Sequence, residues 1–157
     1  MEILLVIVVL AILATLSAPS FRSALQNNRL SGAANEVMTS FQFARAEALK
    51  RGTDVRVCSS SDGATCGGNW NQGWIVSCTV AADCPDVTNG VIRTWPGNGT
   101  DFNFNPTTGQ YTFEENGFGN AAFQLDLSLP DCFGENLRQI QVVPTGRTAV
   151  TRADCPT

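Results

Sequence analysis

Six cysteines are the residues of this chain best suited to chemistry, and the chain contains no histidine. All six follow residue 57, and the gaps between successive members hold seven, eleven, five, forty-seven and twenty-two residues. Zinc sites need clustered Cys-x-x-Cys or Cys/His spacing, so we expect no metal. The pattern favours disulfides formed outside the cytoplasm. Six cysteines permit about fifteen connectivities, and short separations suggest three pairs: Cys58–Cys66, Cys78–Cys84 and Cys132–Cys155.

Other residue types that support catalysis or phosphate binding lack partners at the required spacing. The serines of segment 59–61 have no base at a recognisable distance. Glu114 and Glu115 are adjacent, and adjacent residues of a strand point to opposite faces, so we expect a solvated turn rather than an acid/base pair. The glycine-rich segment 62–70 has neither a Walker lysine nor dinucleotide spacing. We therefore expect no enzyme activity and no cofactor.

An uncharged apolar stretch of sixteen residues, 3–18, follows Glu2 at the start of the chain. A carboxylate in lipid is costly unless it is paired, and acids in such positions are usually functional. One interpretation is a secretory signal peptide cleaved after Ala18, although the usual positive n-region is missing. Another is a transmembrane anchor, for which sixteen residues fall slightly below the usual length of about 17–25.

Beyond Pro19 the apolar pattern changes from continuous to one-sided. Apolar residues recur at alternating steps of four and three, which is typical of an amphipathic helix: Leu30, Ala34, Val37, Phe41, Ala44 and Ala48. Basic residues followed by Gly52 are typical of the C-terminal end of a helix. We predict one helix over residues 2–51, about 75 Å long at 1.5 Å per residue, with a kink at Pro19.

Short segments with strand-like alternation, broken by Gly, Asn, Asp and Pro, follow Gly52. We predict eight strands, over residues 54–60, 73–78, 91–95, 101–105, 110–113, 121–129, 138–143 and 147–152. The last two should form a hairpin with Pro144 and Gly146 at its turn, and residues 102–113 should form another.

These elements predict an α+β protein with two parts. The first, residues 1–52, is a long N-terminal helix in which 1–19 is a candidate membrane segment. The second, residues 53–157, is a disulfide-bonded, mostly antiparallel β head covered on one face by the apolar stripe of the helix. The head carries five basic and eleven acidic side chains, so general attraction to nucleic acid or anionic lipid is not expected. We expect its aromatic residues to be core or loop anchors: Trp70, Trp74, Trp95 and Phe118.

Four stretches of the chain resemble type IV pilin-like proteins, within them the minor pilin and pseudopilin group called GspH/FimT. The first is "EILLVIVVLAILATLSAPSF", a glutamate and an apolar run with a proline seventeen positions after the glutamate. The others are "NRLSGAANEVMTSFQFARAEALKRGTDVRVCSSSDGATC", the tryptophans and apolar residues of segment 70–76, and "VVPTGRTAV". Together they cover most of the chain.

The resemblance implies a minor pilin of a type IV pilus, at or near the filament tip, that supports pilus assembly. Glu2 matches the pilin glutamate that pairs with the methylated N-terminal amine of a neighbouring subunit, and Pro19 matches the pilin proline that allows local bending. The implied partners are other pilins, the inner membrane and prepilin peptidase, with the head in the periplasm and then outside the cell in the pilus. It also implies that residues 1–19 form the filament-core segment after assembly, and that a short basic leader precedes Met1 in the precursor.

Two alternatives remain within the same resemblance. One is a type II secretion pseudopilin. The other is a pilin that binds DNA for natural transformation through a C-terminal Gly-Arg-x-Arg motif, of which Gly146 and Arg147 supply the first part while Ala149 replaces the second arginine. The candidate DNA contacts are Arg138, Arg147 and Arg152. Arg147 and Arg152 differ by five positions, so in a regular strand they point to opposite sides.

Overall fold

A single helix, α1 (Glu2–Arg51), opens the protein, as predicted. The computed structural model describes residues 2–97, 99–132 and 134–155, and within α1 the side chains of Ile3, Val6, Ile7 and all residues from Ala24 onward. The helix ends at Arg51 because Gly52 adopts a left-handed φ of +62° and its N–H donates to the Ala48 carbonyl at 2.9 Å. The kink at Pro19 stays a prediction.

Eight strands follow, and they form two antiparallel sheets. Sheet order is β3-β2-β1-β5 in the first and β4-β6-β7-β8 in the second. The strands are β1 (Val55–Ser59), β2 (Gly73–Cys78), β3 (Val91–Pro96), β4 (Asn103–Pro106), β5 (Gln110–Phe113), β6 (Phe123–Ser128), β7 (Leu137–Val142) and β8 (Thr148–Ala153). Short 3-10 turns occur at Trp70–Gln72, Ala81–Asp83 and Thr88–Gly90. Each predicted strand is present with small shifts of its ends.

One of the two predicted hairpins is confirmed and the other is wrong. β7 and β8 pair across the turn that contains Gly146, whose N–H donates to the Val143 carbonyl at 2.8 Å. β4 and β5 do not pair, because β4 joins β6 and β5 joins β1. Residues 107–109 therefore carry the chain from one sheet to the other. Alternation specifies which side chains of a strand face inward but not which strand supplies its hydrogen bonds.

The apolar stripe of α1 is the centre of the core. All six of its predicted members are almost completely buried: Leu30, Ala34, Val37, Phe41, Ala44 and Ala48. They pack with inward-facing residues of both sheets, such as Val57 of β1 and Leu125 of β6. One helix face therefore joins two sheets that share no strand.

Aromatic rings fill the space under the middle of α1. The Phe41 ring lies 6.2 Å from Trp70 and 5.1 Å from Phe123, measured between ring centroids. Trp70 stacks on Trp74 at 6.0 Å, and Trp74 stacks on Trp95 at 6.3 Å. The three tryptophans are buried, as expected for core anchors, whereas Phe118 is 51 % exposed on a loop.

Three disulfides close segments of the head. The structure joins Cys58–Cys66, Cys78–Cys84 and Cys132–Cys155, with Cα separations of 5.6, 6.3 and 5.7 Å. Cys58 lies in β1 and Cys78 in β2, and each pairs with a cysteine of the loop that follows its strand. The third disulfide ties the segment before β7 to the residues just after β8. These are the pairs that short sequence separation suggested.

Replacing Phe41 with Ala should lower the free energy of unfolding by about 3–5 kcal/mol, because the site is fully buried among aromatic rings and cannot collapse. Urea denaturation of the purified chain, followed by tryptophan fluorescence, measures the loss. Phe118→Ala is the matched control and should change stability by less than about 0.5 kcal/mol. Equal losses for the two variants would contradict the central position of Phe41.

Candidate functional site

The N-terminal part of α1 leaves apolar side chains uncovered. Ile3, Val6 and Ile7 are each more than half exposed, and Leu25 is nearly so. Complete burial of the helix stripe begins only at Leu30. Among the described residues, no helix meets the length and hydropathy needed to cross a bilayer. The side chains of Glu2 and Pro19 lie outside the described residues, so their roles stay predictions.

A charged cluster fastens the C-terminal end of α1 to the head. Arg51 Nε donates to Glu47 Oε2 at 2.6 Å, and Arg51 Nη1 donates to Asp86 Oδ1 at 2.6 Å. Lys50 Nζ lies 3.4 Å from Glu47 Oε1. The two carboxylates hold the pKa of Arg51 above its usual value, and Arg51 holds the pKa of Asp86 below its usual value. Asp86 follows the Cys78–Cys84 loop, so the end of the helix is bound next to a loop closed by a disulfide.

Polar contacts hold α1 again where it enters the head. Arg29 Nη2 donates to Asp101 Oδ2 at 2.7 Å, and its guanidinium carbon lies 5.9 Å from the centroid of the Phe102 ring. Asn27 Oδ1 accepts from Arg138 Nη2 at 3.1 Å. The embedded half of the helix is thus held near both of its ends, and the head determines the direction in which the preceding part of α1 extends.

The three arginines predicted as DNA contacts do not form one surface. Arg138 is only 3 % exposed, and its guanidinium donates to the carbonyls of Glu135 and Leu137 and to Asn27 Oδ1. Its role as a DNA contact stays a prediction, to which this buried position lends no support. Arg152 is exposed and opposite Arg138 in the register of β7 and β8.

Arg147 is exposed just before β8 and lines a cavity that includes neither Arg138 nor Arg152. That cavity also holds Arg45 and Leu49 of α1. Arg45 Nε donates to the Gly117 carbonyl at 3.0 Å, which joins the helix to the loop after β5.

The paired acids and the glycine-rich segment form turns and loops in the described part of the chain. Glu114 and Glu115 are exposed at a turn closed by the Gly117 N–H, which donates to the Glu114 carbonyl at 2.8 Å. No group of three or more cysteine, aspartate or glutamate side chains among the described residues is arranged to hold a metal ion. In the glycine-rich segment, Asp62 accepts bonds from the N–H groups of Ala64 and Thr65, which lowers the pKa of Asp62 and closes a loop.

Sequence reasoning did not find the groups that hold the helix to the head. The four-residue spacing of Glu47 and Arg51 is a helical ion-pair signal and was available in the sequence. Asp86, Asp101 and Asn27 carry no such signal, because their partners lie 35, 72 and 111 residues away.

A long N-terminal helix that crosses two antiparallel sheets by one apolar face has the architecture of the pilin-like proteins. Two solved structures are similar. The type IV minor pilin FimU of Pseudomonas aeruginosa strain PAO1 has a TM-score of 0.63 and 17% identity, over 79% of this chain and 89% of that one. The minor pseudopilin EpsH from the type 2 secretion system of Vibrio cholerae has a TM-score of 0.53 and 12% identity, over 78% and 96%. At these identities the similarity establishes the fold.

The chain belongs to the GspH family, because the model of the type II transport protein GspH matches residues 33–146. The match runs from the embedded half of α1 to the turn between β7 and β8. No curated protein matches the chain. The sequence resemblance to the GspH/FimT group is therefore confirmed at the level of family and fold.

Replacing Arg51 with Gln should destabilise the head by about 2–3 kcal/mol, because it leaves the buried Glu47 carboxylate with only the mobile Lys50. Lys50→Gln is the matched control: Lys50 shares the same carboxylate but is mostly exposed, so its loss should stay below about 0.5 kcal/mol. Thermal and urea unfolding measure both variants. A larger loss for Lys50→Gln would refute the central role of Arg51.

The contact between Arg51 and Asp86 should give stability a specific dependence on pH. Because Arg51 lowers the pKa of folded Asp86, the stabilisation is present above the pKa of the unfolded aspartate, about 3.9. It is lost as pH falls through the lower folded pKa. We expect Asp86→Asn to be less stable than the wild type at pH 6, and we expect this difference to shrink progressively as the pH falls below about 3.9. A difference that persists at the lowest pH would contradict this origin.

Proposed function

We propose that this protein is a minor pilin of a type IV pilus, incorporated at or near the filament tip, where it supports assembly. The uncovered first part of α1 packs among the helices of other pilins, and the β head lies on the filament surface. Membership of the GspH family and the pilin-like fold support this proposal.

One observation carries the proposal. The C-terminal half of α1 is held firmly by the head, while apolar side chains nearer its N-terminus are exposed. From Glu2 to Asn27 the helix rises about 37 Å at 1.5 Å per residue. Its described side chains in that stretch include four exposed large apolar residues: Ile3, Val6, Ile7 and Leu25. Exposed apolar surface of this kind marks a contact with lipid or with other proteins. Before assembly the inner membrane covers it, and afterwards neighbouring helices do.

The early segment "EILLVIVVLAILATLSAPSF" supports processing as a pilin precursor. Prepilin peptidase removes a leader ahead of it, and the new N-terminal amine is methylated. Glu2 then pairs with the amine of a neighbouring subunit, because a carboxylate in an apolar environment is stabilised by an opposite charge. The head stays in the periplasm until the subunit enters the pilus.

Two related functions differ in the assembly or ligand that they use. A type II secretion pseudopilin would use the same helix, and the filament with which the chain co-purifies distinguishes it from a pilus subunit. DNA binding for transformation has less support, because Arg138 is buried and Arg147 and Arg152 line separate cavities. Two separate cations give only weak, salt-sensitive binding to phosphates.

Replacing Glu2 with Ala should leave the head folded and reduce incorporation into pili severalfold, because the register-setting ion pair is lost. Quantitative blotting of sheared filaments against total cell protein measures incorporation. Glu115→Ala is the matched control, since it removes one carboxylate from an exposed loop of the head. Equal incorporation of the wild type and Glu2→Ala would refute the register role, and absence of the wild type from filaments would refute the proposed function.

A further inference from the structure

Arg138 is a buried cation without a carboxylate partner among the described residues. Its side chain is 3 % exposed, and its acceptors are neutral: the carbonyls of Glu135 and Leu137 at 3.2 and 3.1 Å, and Asn27 Oδ1 at 3.1 Å. These contacts use two hydrogens of Nη1 and one of Nη2. A guanidinium has five N–H donors. The Nε hydrogen and one Nη2 hydrogen therefore have no acceptor among the described residues.

Among the described residues, the charge nearest to Arg138 in the sheet is also positive. Arg152 is its cross-strand partner in the register of β7 and β8. Burial and the charge of Arg152 both lower the pKa of Arg138, although arginine stays protonated in proteins. Buried charges in folded proteins are normally paired, because an unpaired one loses its hydration without compensation. The arrangement therefore favours an anion from outside the described chain.

A cavity of about 230 Å³ adjoins Arg138. Three elements line the cavity, which we call the basal pocket: Ser31, Ala34 and Asn35 of α1, Arg138 of β7, and Val150, Thr151 and Arg152 of β8. The two arginines, the Ser31 hydroxyl and the Asn35 amide can all donate hydrogen bonds to an oxyanion, whereas Thr151 shares its face of β8 with neither arginine. No acidic side chain is among the lining residues.

We propose that the basal pocket binds a carboxylate side chain, aspartate or glutamate, from a neighbouring subunit of the filament. This inference rests on the proposed function. A carboxylate can take two parallel N–H bonds from a guanidinium, and it stands on a short flexible stem that can enter a recess. A duplex phosphate is flanked by sugars along a rigid backbone, so it reaches exposed arginines rather than one that is 3 % exposed.

The position of the pocket on α1 matches a neighbouring subunit as the source. Asn27, which bonds Arg138, and Ser31 and Asn35, which line the pocket, follow one another at four-residue steps along one side of the helix. Complete burial of α1 in the head begins at Leu30. The pocket therefore lies where the uncovered helix leaves the head, and a subunit packed along that helix brings its side chains past the opening.

Binding is tested first with the purified full chain in detergent, using glutarate as the carboxylate probe. At constant ionic strength, replacing chloride with about 100 mM glutarate should raise the melting temperature of the wild type by about 2 °C. Arg138→Gln should abolish the rise and Arg152→Gln should at least halve it. Arg147→Gln is the matched control, because Arg147 lies outside the pocket, and it should behave as the wild type.

Arg152 is exposed, so Arg152→Gln decides the result if Arg138→Gln does not fold. No rise in the wild type, or an equal rise in Arg152→Gln, overturns the proposal. A rise produced by a short DNA duplex at matched phosphate concentration, and absent with glutarate, would also overturn it in favour of a phosphate ligand.

The source of the carboxylate is tested in assembled filaments. A photo-reactive benzoylphenylalanine at Asn35, on the rim of the pocket, should cross-link to a pilin peptide that contains Asp or Glu. Arg152→Glu should reduce this product severalfold, and changing the mapped acid of the partner to Arg should restore it. Cross-links that Arg152→Glu leaves unchanged overturn the proposal, whereas a wild-type chain missing from filaments contradicts the proposed function instead.

Discussion

Burial of one stripe of α1 against both sheets is the interaction on which the rest of this structure depends. The two sheets share no strand, and Phe41 lies among aromatic residues that come from several parts of the head. Each sheet alone would leave its inner face in water. Because the helix covers both faces with side chains of alternating size, from Ala34 and Ala44 to Phe41, the head becomes one core rather than two.

The contacts at the two ends of the embedded helix fix its direction and differ in what they contribute to stability. The pair of Arg29 and Asp101 is more than half exposed, and pairs of that kind contribute little free energy. The cluster around Arg51 is more buried and ties the helix to Asp86, next to the loop closed by a disulfide. Fixed in this way, the last half of α1 holds the first half of the helix in one direction relative to the head. A subunit that assembles through its helix needs this fixed direction, since the head and the filament axis must keep a constant relation.

The positions of the charged residues in the head say more about its contacts than its net charge does. The head is acidic in total, yet its arginines near β8 lie in two separate places, one beside Arg45 and one in the basal pocket. The basal group combines a buried guanidinium with an exposed one, which suits a single recessed anion better than a long polyanion. Electrostatic complementarity of this local kind contributes to the choice and register of a partner more than to general affinity.

Much of this protein could be predicted from its sequence, because the deciding signals are local. The helix stripe from Leu30 to Ala48, its end at Gly52, the eight strands and the β7–β8 hairpin depend on periodicity, glycine conformations and turns of a few residues. The short cysteine separations likewise suggested the pairs that the structure contains. The family resemblance in turn rested on continuous stretches of the chain.

Tertiary structure alone decided which strands β4 and β5 pair with, the burial of Arg138 and the partners of Asp86 and Asn27. The pattern of a strand is the same whichever neighbour it takes, so the sheet to which β4 belongs follows from the packing of the whole head. An arginine also reads as a surface residue until the elements that cover it are in place. Local sequence therefore determined which elements form, and long-range packing determined which side chains meet.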